Sequence, residues 1–89
     1  MKISKEKTQK ISEQIISFLY SNSLKSHFTS HIAKELARDE EFIKKLLLNL
    51  KKKNIVIEIK KNPSGEKYLR RSRWRLSPEA YSFYRMKQL

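Results

Sequence analysis

The chain has 89 residues, of which 21 are Lys or Arg and 9 are Asp or Glu, giving a formal net charge of +12. The lack of cysteine excludes disulfides and thiolate metal sites. No apolar run reaches the roughly 18 residues that a membrane-spanning helix needs, and the N-terminus lacks an apolar signal region. The length predicts one small domain over residues 1–89. An excess of positive charge favours a polyanionic partner, with nucleic acid as the first candidate and an anionic membrane surface as the second.

The first helix is predicted over residues 4–21, where apolar side chains recur on one helical face. Phe28 is a candidate for the start of a brief strand. The second helix is predicted from an N-cap at Thr29 or Ser30, whose hydroxyl can accept a hydrogen bond from a backbone N–H, to about Ala37. The residues expected to face the core from these two helices are Ile11, Ile15, Phe18, Leu19, Ile32, Ala33, Leu36 and Ala37.

The third helix is predicted from an N-cap at Asp39 to about Lys53. Its first turn carries two glutamates and its last turn three lysines, which complements the helix dipole. Asn54 suits a left-handed stop after the helix. The apolar stripe expected to close the core consists of Ile43, Leu46, Leu47 and Leu50.

Two strands and a last helix are predicted next. Residues 55–60 alternate and are rich in β-branched side chains, residues 61–67 have the composition of a turn, and residues 68–76 return as the second strand. Ser77 followed by Pro78 is typical of a helix start. The inward side chains of the strands are expected to be Ile55, Ile57, Ile59, Trp74 and Leu76.

Three short segments resemble the winged helix-turn-helix superfamily, and among its members small archaeal or bacterial transcription regulators. Residues 32–37 (IAKELA) resemble the second helix of that family. Residues 53–56 (KNIV) resemble its entry into the wing, with Asn54 in the place of glycine. Residues 74–80 (WRLSPEA) resemble the segment that leaves the wing. The resemblance covers nearly the whole chain.

The resemblance implies an α+β, mainly α fold with a three-helix core, a two-stranded β-wing and a C-terminal helix. The helix-turn-helix would cover about 29–53, the wing about 55–76 and the C-terminal helix about 78–89. The family also implies a homodimer through the first and last helices. In the last helix, aromatic and Met side chains are too many to face inward together, and the surplus indicates a partner surface.

In a helix-turn-helix, the start of the third helix meets base edges in the major groove. Here the start is acidic, which disfavours base readout, although Asp39 is explained by capping. At 100° per residue, Lys45, Leu48 and Lys52 lie opposite the core stripe. Leu48 would contact a thymine methyl or a protein partner, or a tilt of the helix would bury it. The predicted DNA-binding residues of this helix are Lys44, Lys45 and Lys52 for phosphates and Asn49 for an adenine edge or, alternatively, as a solvated side chain.

The wing carries the denser charge, with seven cations between residues 60 and 75 and only Glu58 and Glu66 near them. Outward strand positions are often simply solvated Lys or Arg, which is the alternative interpretation. Gly65 allows a tight turn at the wing tip. The predicted DNA-binding residues of the wing are Lys60, Lys61, Lys67, Arg70, Arg71 and Arg73.

These features predict a double-stranded DNA-binding protein that regulates transcription and stays in the cytoplasm, associated with the nucleoid in a prokaryote. The alternative is a protein-interaction module or an RNA-binding or ribosome-associated module of the same fold. No catalytic residue, cofactor or metal site is predicted. One glycine cannot build a phosphate loop, and His27 and His31 lack a third ligand.

Overall fold

The computed structural model describes residues 4–62, 64–67 and 71–87. The elements, in chain order, are α1 (Lys5–Ser21), β1 (His27–Phe28), α2 (Thr29–Leu36), α3 (Glu40–Lys52), β2 (Val56–Ile59), β3 (Arg73–Leu76) and α4 (Pro78–Lys87). The predicted order is confirmed. Strands β2 and β3 form the predicted wing, and the brief strand at Phe28 pairs with β3 on its other side. The sheet is therefore antiparallel with three strands in the order β1-β3-β2.

Side-chain caps account for the starts of α3 and α4. The carboxylate of Asp39 accepts a hydrogen bond from the backbone N–H of Phe42 at 3.0 Å, and the hydroxyl of Ser77 accepts one from the N–H of Ala80 at 3.1 Å. Each bond satisfies a backbone donor that has no partner inside the helix. The capping interpretation of Asp39 and the predicted start at Ser77 are confirmed.

The predicted cap of α2 is wrong, since the N-cap is Phe28 and no side chain caps the helix. Thr29 is buried, and its hydroxyl oxygen accepts a hydrogen bond from the indole N–H of Trp74 at 2.8 Å. Trp74 is fully buried, and a buried indole N–H needs an acceptor. The hydroxyl of Thr29 therefore accepts a hydrogen bond that joins α2 to the sheet, and it does not cap its own helix.

Two residues with positive φ end helices. Ala37 ends α2 with φ 54°. Its backbone N–H donates a hydrogen bond to the carbonyl of Lys34, and the N–H of Arg38 donates one to the carbonyl of Ala33. Ala37 is exposed, so the expectation that it faces the core is wrong. Asn54 follows α3 with φ 61°, which confirms the predicted left-handed stop.

The core lies between α1, α2, α3 and the inner face of the sheet. The apolar stripes predicted for α1 and α3 are buried, apart from Phe18, which is half-buried against them. The predicted inward positions of Trp74 and Leu76 are confirmed. The core residues are Ile11, Ile15, Leu19, Ile32, Ala33, Ile43, Leu46, Leu47, Leu50, Val56, Trp74 and Leu76.

The predicted register of β2 is wrong by one residue. Val56 is 2% exposed and pairs with Leu76, and partners across an antiparallel ladder share a face of the sheet. Ile57 and Ile59 therefore lie on the outer face, where they are half-buried, whereas Ile55 packs against the core just before the strand. Alternation favoured the isoleucine face because Glu58 lies on the other one, and it failed here because the Glu58 carboxylate is buried with donors from Lys51 and Ser72.

Helix α4 packs on α1 through a tyrosine cluster. The ring of Tyr20 lies 5.2 Å from that of Tyr81 and 4.7 Å from that of Tyr84. Phe83 and Met86 are 61% and 72% exposed, so the aromatic and Met side chains do not all face inward, as predicted. None of the helices in residues 4–62, 64–67 and 71–87 has the length and apolar character that crossing a bilayer requires.

Candidate nucleic-acid interface

The outward face of α3 carries two of the predicted phosphate-binding lysines. Lys45 and Lys52 are exposed, and Leu48 between them is 38% exposed. The inward stripe of the same helix is buried, which fixes the rotation of α3 about its axis. The alternative in which a tilt buries Leu48 is therefore wrong, and an apolar side chain lies in the middle of a cationic surface.

A polar cleft brings Lys44 of α3 and Arg71 of the wing together. Its other lining residues come from the start of α2, the first turn of α3 and the residue before β3, namely Phe28, Thr29, Ser30, Glu40 and Ser72. Lys44 and Arg71 are both exposed. Two cations that are 27 residues apart in the sequence therefore border the same cleft.

Asn49 lies elsewhere on α3. Five residues along a helix correspond to a rotation of about 140° from Lys44, which carries Asn49 to the opposite edge of the exposed face. There it lines a groove between α1 and α3, together with Lys5, Gln9 and Lys53. The structure does not bring Asn49 together with Lys44 and Arg71.

An aromatic ring supports two arginines at the start of β3. The guanidinium carbon of Arg73 lies 4.6 Å from the ring centroid of Phe28, and that of Arg71 lies 5.4 Å from it. Both distances permit cation–π attraction. Arg71 is exposed and Arg73 is half-buried. The sequence did not indicate this role for Phe28, because it depends on the pairing of Phe28 with Arg73 across β1 and β3.

The wing tip is held by hydrogen bonds of its loop. The side-chain oxygen of Asn62 accepts from the N–H of Glu66 at 2.9 Å, and its backbone carbonyl accepts from the N–H of Gly65 at 2.9 Å. Gly65 has φ 87°, a conformation that suits glycine. Lys61 and Lys67 pair in an antiparallel bridge, and both are exposed, as is Lys60. The prediction for Arg70 lies outside the described residues.

Solved structures of MepR from S. aureus resemble this chain. A mutant MepR from a multidrug-resistant clinical isolate is 20% identical, with a TM-score of 0.69, over 84% of this chain and 51% of that chain. A second mutant, bound to an oligodeoxyribonucleotide, is 24% identical, with a TM-score of 0.64, over 86% of this chain and 59% of its own. MepR in its DNA-binding conformation is 21% identical, with a TM-score of 0.66, over 97% of this chain and 62% of its own.

The chain has the winged helix-turn-helix fold. The likeness at these identities shows the fold alone, and the chain spans about half to three fifths of the length of the MepR chains that it matches. No protein-family model matches the chain, and no curated protein does.

A charged network joins α3 of this winged helix to the base of the wing. Glu58 on β2 has a side chain only 7% exposed, and its two carboxylate oxygens have different donors. Lys51 Nζ in the last turn of α3 donates to Oε1 at 2.7 Å, and the hydroxyl of Ser72 donates to Oε2 at 2.5 Å. Sequence reasoning missed this network, because Lys51 and Glu58 are seven positions apart, across a turn whose geometry the sequence does not specify.

The network also sets the charge state of Glu58. Burial raises the pKa of this carboxyl, but the hydrogen bonds from Lys51 and Ser72 and the charges of Lys51 and Lys60 together outweigh burial and lower the pKa. Glu58 is therefore ionised at neutral pH. Its negative charge is held against Lys51 and lies near Lys60, between α3 and the wing.

Proposed function

We propose that the protein binds double-stranded DNA as a transcription regulator, with no catalytic activity of its own, through the outward face of α3 and the basic wing. The observation that carries the proposal is the cleft in which Lys44 of α3 and Arg71 of the wing lie together. A net charge of +12 supplies the attraction for a polyanion.

The MepR structures support this proposal through the fold. One of them is bound to an oligodeoxyribonucleotide and another is in a DNA-binding conformation. The corresponding part of this chain would place α3 in the major groove, as in helix-turn-helix proteins generally, with the wing against the adjoining backbone. The cytoplasm, near the nucleoid in a prokaryote, is the compartment that such a function requires.

Most of the binding energy would come from phosphates. Lys44, Lys45 and Lys52 would contact the backbone from α3, and the cations of the wing would follow it further along. The acidic first turn of α3 repels phosphates, and Asp39 is engaged in capping, so we expect weak base readout. With roughly six to eight phosphate contacts, log K falls with log salt at about −0.9 per contact.

We also propose that the protein forms a homodimer through α1 and α4. A groove between these helices is lined by Ile16, Ile55, Ala80, Phe83 and Tyr84, with the charged side chains of Glu13 and Lys87 also on its lining, and Phe83 is 61% exposed. A dimer would present two basic faces to one duplex. Sedimentation equilibrium of the wild type and of Phe83→Glu tests this proposal, since replacing the exposed aromatic ring by a carboxylate should leave a monomer.

The function is tested by fluorescence anisotropy of a labelled duplex at several salt concentrations, with the double variant Lys45→Glu/Lys52→Glu. We expect affinity at least about tenfold lower in the variant, because two attractive charges become repulsive. The matched control is Lys10→Glu/Lys25→Glu, which changes the net charge equally at exposed positions on α1 and in the turn after it. The control should lose much less affinity.

The outcomes separate the candidate functions. Steep salt dependence together with a larger loss in the α3 variant supports DNA binding at the proposed face. Equal losses in the two variants would mean attraction by net charge alone. Tighter binding to structured RNA than to duplex favours the RNA alternative. Failure to bind any nucleic acid at about 50 mM salt would leave Leu48, exposed at the centre of the α3 face, as the basis for a protein-interaction function.

A further inference from the structure

The buried carboxylate of Glu58 lies among the cations that are proposed to contact DNA. Lys51, one of its donors, precedes Lys52 in the last turn of α3. Ser72, the other donor, follows Arg71 at the entry to β3. Lys60 comes two residues after Glu58 itself. The three residues of the network, Lys51, Glu58 and Ser72, come from α3, β2 and the start of β3. Each of them therefore lies within two residues of a proposed phosphate contact.

We propose that Glu58 is a positioning residue that sets the separation and angle between α3 and the wing, so that cations of both elements reach phosphates of one duplex together. This inference rests on the proposed function. Lys51 joins the carboxylate to the helix, and Ser72 joins it to the second wing strand. A fixed distance between α3 and the wing matters because phosphates repeat at fixed intervals along DNA. If the wing moved relative to α3, the two elements could not contact their phosphates at the same time.

Stability alone does not account for the network. Burial removes most of the hydration of the Glu58 carboxylate, whereas the Lys51 side chain stays 47% exposed. An apolar side chain of similar volume at a buried position often stabilises a fold equally well. The sheet position is suited to an apolar residue, since Glu58 pairs with the buried Trp74 on the inner face. A carboxylate with two donors supplies directional contacts that an apolar side chain cannot supply.

The sign of one substitution separates positioning from electrostatics. Glu58→Gln removes a negative charge, so electrostatics alone predicts tighter DNA binding. Positioning predicts weaker binding, because an amide holds Lys51 less firmly than a carboxylate does. We expect a Kd for duplex DNA roughly five- to tenfold higher than that of the wild type. We also expect the salt dependence to be shallower by about one phosphate contact. Unchanged or tighter binding would overturn the proposal.

Glu66→Gln is the matched control, since it removes the same charge from an exposed position of the same wing. It should bind DNA as tightly as the wild type or slightly more tightly. Ser72→Ala is the second test variant, because it removes one donor with no change of charge and should weaken binding in the same direction as Glu58→Gln. Ser72→Ala also serves if Glu58→Gln fails to fold.

Hydrogen exchange of the free protein tests the coupling without DNA. In Glu58→Gln, the backbone amides of β2 and β3 should exchange about tenfold faster, because the contacts that hold the wing to α3 are weakened, whereas amides in the middle of α1 should not change. Equal changes throughout the chain, or none in the strands, would refute the positioning role. If the wild type does not bind duplex DNA, the proposed function fails, and this measurement still decides whether Glu58 holds the wing to the helix.

Discussion

The helical half of the molecule and the wing are stabilised by different kinds of interaction. The helical half buries long apolar side chains, with Leu47 and Ile15 at 0% exposure. The strands of the wing add Val56, Trp74 and Leu76 to that core. The other described contacts of the wing are hydrogen bonds of the loop, the packing of two arginines on Phe28 and the network around Glu58. The exposed lysines of the wing tip therefore lie outside the core, and the wing can carry this charge without a large effect on folding.

The largest expected effect tests the helical side of this comparison. Leu47→Ala leaves a cavity at a fully buried position and should lower the free energy of unfolding by about 2–5 kcal/mol. Leu48→Ala, the next residue, is the control and should change it by less than about 1 kcal/mol, since Leu48 is 38% exposed. Urea unfolding followed by Trp74 fluorescence measures both. Similar losses in the two variants would contradict the assigned rotation of α3.

A smaller effect is expected where the two halves meet. Thr29→Val keeps the shape of the side chain but leaves the indole N–H of Trp74 without its acceptor. The free energy of unfolding should fall by about 1–3 kcal/mol, the cost of a buried unsatisfied donor. Thr29→Ser keeps the hydroxyl and should lose less. If the two variants have equal stability in urea, the hydrogen bond contributes nothing.

A gain in stability is expected at the turn between α2 and α3. Ala37 has φ 54°, where a side chain with a β-carbon is strained and glycine is not. Ala37→Gly should therefore raise the free energy of unfolding by about 0.5–1 kcal/mol. Lys34→Gly, within α2 and also exposed, should lower it by a similar amount. Thermal unfolding of the two variants compares the positions directly, and a loss in both would argue against the left-handed turn.

The smallest effect concerns the joint at Glu58, where burial and hydrogen bonding oppose each other. Its pKa in the fold lies below the ordinary value of 4.5. The ionised form therefore stabilises the fold fully above that ordinary value, and this stability is lost as the pH falls through the lower folded pKa. Urea unfolding between about pH 7 and pH 3 should show a smaller loss of stability on acidification for Glu58→Gln than for the wild type. Parallel pH profiles would contradict the assignment.

The sequence predicted those features that depend on local chemistry. The apolar periods of α1 and α3, the caps at Asp39 and Ser77 and the left-handed stop at Asn54 agree with the structure. Hydrophobic periodicity and capping require only neighbouring residues, so one sequence is enough to recognise them. The DNA-contact roles of the α3 and wing cations stay predictions, although the exposure of Lys45, Lys52 and Arg71 is consistent with them.

The features that only the tertiary structure decided depend on residues far apart in the chain. The hydroxyl of Thr29 accepts a hydrogen bond from Trp74 and does not cap its own helix, since a fully buried indole N–H is costly without an acceptor. The inner face of β2 is set by the pairing of Val56 with Leu76, whereas the alternation of isoleucines in the sequence favoured the other face. Likewise, Glu58 is one acid among many bases in the sequence. The packing of α3 on the sheet brings Lys51 to one of its oxygens, and the pairing of β2 with β3 brings Ser72 to the other.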